Sequence, residues 1–237
     1  MLPPFGTPPN HVDATYMELH TSRFGGRGAG ILLSAFTLAT TSTWVAFLLS
    51  EIGITYLLGK PLFLVVIAGV LCLSAIFIVG GWRMDVEAPR DEPVRFNRKR
   101  RKVYVYRNHE GWAFSRKNWG VRPVVFNWDD LRAESWTRIA PTASGVPIVG
   151  WGVDVAVVEP GTNHVIDRFQ LAGSNADGEH MWAMARAFMN QGPEALPKYP
   201  HPPRDWNNDV PWYNLALRLA PKVEWPADMD RESRTAP

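Results

Sequence analysis

One cysteine, Cys72, is present in the 237 residues. It has no second thiol with which to close an intrachain disulfide, and its place inside an apolar run reads as a small packing residue rather than a redox centre. Metal-ligand patterns are also missing. His109, His164, His180 and His201 are scattered, with no Cys pair and no His-Glu-x-x-His segment, so no zinc site is expected. Neither Ser144-Gly145 nor Ser174 sits in a Gly-x-Ser-x-Gly elbow, and there is no Walker loop. Gly25, Gly26, Gly28 and Gly30 precede an apolar helix instead of linking a strand to a helix, which argues against a dinucleotide fingerprint. Asp129, Asp130, Asp154, Asp167 and Asp177 read as turn and strand-end residues rather than an acid–base pair. The expectation is a protein that is not an enzyme, with no catalytic residue, metal or cofactor. A net charge of +2 gives no general case for nucleic-acid binding.

Charge is missing most completely from two apolar runs, Gly28–Leu49 and Pro61–Gly81. About 20 apolar residues of helix cross a hydrocarbon core roughly 30 Å thick, so each run predicts a membrane span. A 27-residue polar leader, no small-x-small cleavage site and the second span following closely argue against a cleavable signal peptide. Neither span carries an ionisable residue at its centre, which argues against a channel, proton relay or transporter. Ser34, Ala35, Ala39, Thr40 and Thr43, facing Ala68, Gly69, Ser74 and Ala75, predict close packing of the two helices. Arg23 and Arg27 precede the first run and eight Lys or Arg residues between Arg83 and Lys102 follow the second, while the intervening loop has only Lys60. By the positive-inside rule both termini face the cytoplasm, and Trp82, Tyr56 and Trp44 fall near the two interfaces.

After a linker over 83–93, short segments rich in Val, Ile, Phe, Tyr and Trp predict strands at Val94–Phe96, Lys102–Tyr106, Gly111–Ser115, Val124–Asn127, Ala133–Arg138, Gly152–Glu159 and His164–Leu171. Val153, Val155 and Val157 share one face by period-two alternation. Met181, Met184, Ala185, Phe188 and Met189 then recur at helical spacing, with start signals at Ser174–Asp177 and a stop at Gly192-Pro193. This predicts an antiparallel meander lidded by one amphipathic helix. The proline-rich tail keeps Trp206, Trp212, Tyr213 and Trp225, more large aromatics than a disordered segment retains, and a short helix-like stretch at Trp212–Leu219, so it is expected to wrap the domain, with docking of a partner as the alternative.

The meander order, the Trp128-Asp129-Asp130-Leu131 element and the terminal helix resemble a pleckstrin-homology-like domain. Taken with Arg95–Tyr104 and the Ala187–Pro197 segment, they resemble a family of uncharacterised proteobacterial membrane proteins found near type VI secretion effectors. The resemblance implies an α+β protein with a leader over 1–27, a transmembrane hairpin over 28–82, the linker over 83–93, a pleckstrin-homology-like domain over 94–192 and a Pro/Trp-rich tail over 193–237. It also implies a bacterial inner-membrane protein that serves a secreted toxin or effector as immunity partner or accessory. It carries over no catalytic residue.

Two sets of residues are candidates for contact. Arg98, Lys99, Arg100, Arg101 and Lys102 follow the second span closely and would attract anionic lipid, each contributing about 1 kcal/mol when suitably placed. By resemblance, this first hairpin is also where pleckstrin-like domains bind lipid phosphates. A solvated hairpin tip is the alternative. Trp112, Trp119, Trp136 and Trp151 are candidate anchors for a protein partner where exposed, and core residues where not. Sequestration of an effector and an anionic-lipid-binding scaffold are the two functions carried forward.

Overall fold

The computed structural model describes residues 8–21, 26–54, 56, 59–115, 117, 119–140 and 148–237. Arg23, Gly25, Ser144 and Gly145 lie outside the described residues. The protein is α+β, with two apolar helices near the N-terminus followed by a β-rich region. Helix α1 (Ala29–Phe47) runs on through a π-helical turn at Leu48–Ile52, and α2 (Pro61–Val86) begins with proline in its first turn, where the missing N–H costs nothing. At 1.5 Å per residue, the 26 residues of α2 extend about 39 Å, and both helices are long and apolar enough to span a bilayer.

The helices touch along small residues. Ser34 Oγ donates to the carbonyls of Gly30 (2.7 Å) and Ile78 (2.9 Å), and the Thr41 and Ser74 hydroxyls lie 2.9 Å apart. A Cβ on Gly30 would run into the Gly81 carbonyl, so the backbones meet where only glycine fits. Thr40 and Thr43 bond instead to carbonyls of their own helix, and a Cβ on Gly69 would meet nothing. Of the predicted small-residue surface, Ser34 and Ser74 form the seam. Gly30, Thr41 and Gly81 complete it.

Among the described residues ten strands pair, all of them antiparallel. A five-stranded sheet has the order β1 (His11–Val12), β2 (Tyr16–Leu19), β3 (Val94–Asn97), β4 (Lys102–Val105), β7 (Val124–Asn127). A two-stranded ladder pairs β5 (Asn108–His109) with β6 (Gly120–Val121), and a three-stranded sheet has the order β10 (Val165–Ala172), β9 (Ile148–Val158), β8 (Leu131–Ala140). The leader thus supplies strands from before α1, and β2 pairs with β3 residue for residue, from Tyr16↔Asn97 to Leu19↔Val94.

Alternation explains why the central strands of the five-stranded sheet, β2, β3 and β4, are buried on both faces. Met17, Leu19, Val94, Phe96, Val103 and Val105 point into a core shared with Val153, Val155 and Val157 of β9 and with Met184, Ala185, Phe188 and Met189 of α3 (Asn175–Gln191). The opposite face carries Tyr16, Glu18, Arg95, Asn97 and Tyr104, and the tail covers it. Helix α5 (Ala227–Arg234) lies there, with acidic residues in its first turn and arginines in its last, as the helix dipole favours. Asn97 Nδ2 donates to the carbonyls of Ser233 (3.0 Å) and Thr235 (2.9 Å). Short α4 (Leu215–Leu219) lies within the helix-like stretch expected at Trp212–Leu219 and packs against α2, so among the described residues α5 is the helix of the body that the pattern does not predict.

The predicted strand at Gly111–Ser115 is absent from the sheets, and its place is taken by turns between β5 and β6. Arg83 of α2 gives the reason. Its Nη1 donates to the carbonyls of Ala113 (2.7 Å) and Ser115 (3.2 Å), so a guanidinium satisfies acceptors that a ladder would otherwise use.

Candidate partner-binding site

The basic run forms the turn between β3 and β4, with Arg101 in a left-handed conformation (φ 54°) and Arg100 N donating to Asn97 Oδ1 at 2.9 Å. Most of its charge is turned toward the chain itself. Arg100 donates to the carbonyls of Thr235 (3.0 Å) and Ala236 (2.7 Å), Lys102 pairs with Glu232 at 2.7 Å, and Arg101 pairs with Asp129. The Arg98 guanidinium lies beside Gly192, which ends α3 with a positive φ of 100°. Lys99 is the exposed member of the run.

The four tryptophans fall in two distant places. Trp112 and Trp119 belong to the turns beside α2: Arg83 lies 4.5 Å from the Trp119 ring, and Trp119 Nε1 donates to the Trp112 carbonyl at 3.0 Å, leaving the Trp112 ring exposed. Trp136 and Trp151 belong to the β8–β9 hairpin. There the ladder outruns its neighbour, because β10 reaches only to Ala172↔Val153 while β8 and β9 stay paired from Trp136↔Gly152 to Ala140↔Ile148.

The two faces of this projecting ribbon differ. On one, Trp136 lies across glycine: a Cβ on Gly152 would come within 2.6 Å of its ring. Its Nε1 donates to Asp154 Oδ1 at 2.8 Å, and Arg138 stacks on it at 4.4 Å, so the ring is held in place. On the other face Thr137 pairs with Trp151 and Ile139 with Val149. Ile139 is 71% exposed, Trp151 51% and Val149 43%, which makes an apolar strip on a ribbon bordered, among the described residues, by no third strand. Exposed apolar surface beside unpaired strand edges is the chemistry of a protein-docking surface.

Asp85, which sequence reasoning missed, joins the two helices to each other. It is buried in the last turn of α2, and its Oδ2 accepts from the backbone N–H groups of Gly28 (3.0 Å) and Ile31 (2.8 Å). One helix therefore caps the N-terminus of the other, where orphan N–H groups and the dipole favour a carboxylate. Asp85→Ala is expected to cost about 2 kcal/mol by the usual worth of such caps, and Asp85→Asn less, because the amide keeps an acceptor. Thermal unfolding of the detergent-solubilised protein checks this.

A cavity of about 630 Å³ lies between the five-stranded sheet and the tail, lined by Glu18, Arg95, Trp206, Glu224, Trp225 and Asp230 among others. Its charges are arranged as ion pairs. Arg95 pairs with Glu18 and Asp230, and Arg234 reaches Asp230 at 3.0 Å. Among the described residues no group of three His, Cys, Asp or Glu is placed to hold a metal ion.

A smaller cavity, about 160 Å³, is lined by His20, Leu171, Asp177 and His180. The His20 ring packs 4.4 Å from that of Trp206. Burial pushes His20 down to about 4, with Asp177 opposing the effect and Arg204 adding to it. The folded protein therefore holds this ring neutral, while the unfolded chain takes up the proton near pH 6.5. The associated stability is complete above that pH and falls as the pH drops toward 4, by on the order of 3 kcal/mol. His20→Phe is expected to flatten unfolding free energy between pH 7 and 5, measured against the unsubstituted protein.

An α+β protein with an apolar helix pair, a double-faced sheet and a projecting apolar ribbon is the class of molecule this geometry defines. Residues 71–237 match a family model described as "Family of unknown function (DUF6708)". The chain belongs to this DUF6708 family, whose match takes in the second half of α2, the whole of β3 through α3, and the tail. No curated protein and no solved structure matches the chain.

Proposed function

We propose that this is a membrane-anchored binding protein whose β-rich body captures a protein partner through the β8–β9 ribbon. The observation that carries the reading is the exposed strip of Ile139, Val149 and Trp151 on a ribbon with unpaired edges. It is a surface fitted to an aromatic or aliphatic counterpart and to backbone pairing, and capture there needs no catalytic centre. The two apolar helices support an inner-membrane hairpin, and the Lys and Arg excess around Arg27 and Arg83–Lys102 supports cytoplasmic termini. The sequence resemblance described above supports a secreted effector or toxin of a type VI system as the partner, with this chain as its immunity or accessory protein.

We read the body itself as a variant of the pleckstrin-homology-like architecture: a five-stranded and a three-stranded antiparallel sheet closed by α3, with the β5–β6 ladder set between β4 and β7 and the outer strands β1 and β2 contributed from before the hairpin. The scaffold alternative, in which Arg98–Lys102 grips anionic lipid, has less support, because Arg100, Arg101 and Lys102 are engaged with Thr235, Ala236, Asp129 and Glu232. Co-purification from detergent with the product of the neighbouring effector gene, together with a toxicity assay in cells, tests the sequestration reading. A stable complex and protection are the expected results. A folded, membrane-inserted protein that neither binds nor protects would remove it.

A further inference from the structure

Two segments a hundred residues apart in sequence flank the body end of the helix pair, and each presents large apolar side chains to the outside. The first is the turn after β5, where Trp112 and Phe114 are 62% and 54% exposed on either side of buried Ala113. The second is the stretch leading into α4, where Trp212 and Tyr213 are 83% and 73% exposed and Leu215 and Leu219 about half exposed. Left in water, such side chains are a liability. Their anchorage indicates what covers them.

Each segment is fixed to the helices at one level. Ala113 lies against Gly80, with its Cβ 3.7 Å from the position a Gly80 Cβ would take, and its carbonyl accepts from Arg83 at 2.7 Å. On the other side Asn214 Nδ2 donates to the Arg27 carbonyl at 3.2 Å, immediately before α1. The contact of Gly30 with Gly81 and the capping of Gly28 by Asp85 place Arg27–Gly30 beside Gly81–Asp85. Counting about 20 residues of α2 from Pro61 for a 30 Å hydrocarbon core brings the boundary to Gly80, the same level. Trp82, 45% exposed, stands there as well.

We infer that Trp112, Phe114, Trp212, Tyr213, Leu215 and Leu219 form a collar that dips into the headgroup–acyl boundary of the cytoplasmic leaflet and fixes the body flat against the membrane. The occupant of this apolar surface is lipid, because the surface is continuous with the lipid-facing sides of α1 and α2 and its aromatic rings are of the type favoured at that depth. Trp112, a candidate anchor for a protein partner by sequence, is thereby assigned to the bilayer. The inference rests on the reading of the helix pair as membrane-spanning.

The test uses the full chain in vesicles of phosphatidylethanolamine and phosphatidylglycerol, labelled with an environment-sensitive nitrobenzoxadiazole probe at one cysteine. Native Cys72 reports the span; in a Cys72→Ser background, Trp112→Cys and Tyr213→Cys report the collar, and Thr137→Cys reports the ribbon. Lipids spin-labelled in the headgroup or high on the acyl chain are expected to quench positions 112 and 213 by about twofold or more, while position 137 stays unquenched. Quenching at Cys72 with none at 112 and 213 would overturn the collar and leave the spans standing. No quenching at Cys72 by lipids spin-labelled deep in the chain would remove the spans and the collar together. Each labelled protein is read only after its folded state is checked by circular dichroism and proteolysis, and if one collar variant fails to fold, the other carries the test.

Discussion

Arg95→Ala is expected to destabilise the body by about 3–5 kcal/mol, the range for removing one member of a buried ion pair. Arg95 is 4% exposed and joins three parts of the chain: β3, on which it sits, Glu18 of β2, and Asp230 of α5, with Ser233 Oγ accepting from its Nη1 at 2.9 Å. Its guanidinium also stacks 4.5 Å from the Trp225 ring. Truncation leaves the Glu18 carboxylate without its cation and Asp230 with Arg234 alone, and it removes the flat surface against which the indole packs. The expected signature is a tail that cuts readily with protease around residues 223–237, before the sheet unfolds. Arg95→Lys rescues little, since an ammonium cannot present the planar fork that serves Glu18, Asp230 and Ser233 together. Protection of the tail in the alanine variant equal to that of the parent would show that Arg95 does not hold it.

Loss of partner binding is the second large effect. Ile139→Asp together with Trp151→Ala places a charge in the apolar strip and removes its aromatic anchor, on residues whose exposure leaves the fold unaffected. By the magnitudes typical of interface anchors, affinity for the proposed effector partner is expected to fall by about 100-fold or more, roughly 2.7 kcal/mol, with thermal unfolding unchanged. Isothermal titration of the detergent-solubilised protein with effector measures it. Trp136→Phe serves as the companion variant: it alters the reverse face, where the ring is held over Gly152, and is expected to leave affinity near the parent value. Unchanged affinity in the double variant would move the capture surface off the ribbon.

The parts of the molecule legible in the sequence are those built by local repetition. Val153, Val155 and Val157 alternate and are all buried in β9, and the stripe from Met181 to Met189 packs on the core as α3. The apolar runs are likewise read from composition alone. What escaped was decided by partners far along the chain. Tyr16–Leu19 is too short and too close to prolines to read as a strand, and becomes one only because β3 offers its edge 75 residues later, at Leu19↔Val94 and onward. The Gly111–Ser115 segment has strand-like aromatics, yet Arg83 claims its carbonyls and the rings turn outward. Asp85 reads as the first acidic residue of a linker, and only the helix crossing reveals it as a cap for α1.

The candidate site divides in the same way. The basic run was visible as charge, but its ties to Glu232, Thr235 and Ala236 join residues 130 or more positions apart and leave no trace in local pattern. Tryptophan content pointed toward interfaces without distinguishing them. Trp112 and Trp151 have the same side chain and similar exposure, and they part company only through what lies beneath: α2 for one, a projecting ladder for the other.

Impermeant maleimide labelling of single cysteines in spheroplasts tests the anchored, inward-facing body most directly. In a Cys72→Ser background, Lys60→Cys in the loop between α1 and α2 is expected to label from outside in intact spheroplasts, and Thr137→Cys on the ribbon only after lysis. Labelling of Thr137→Cys in intact spheroplasts, with Lys60→Cys protected until lysis, would place the body on the opposite side of the membrane and contradict the account.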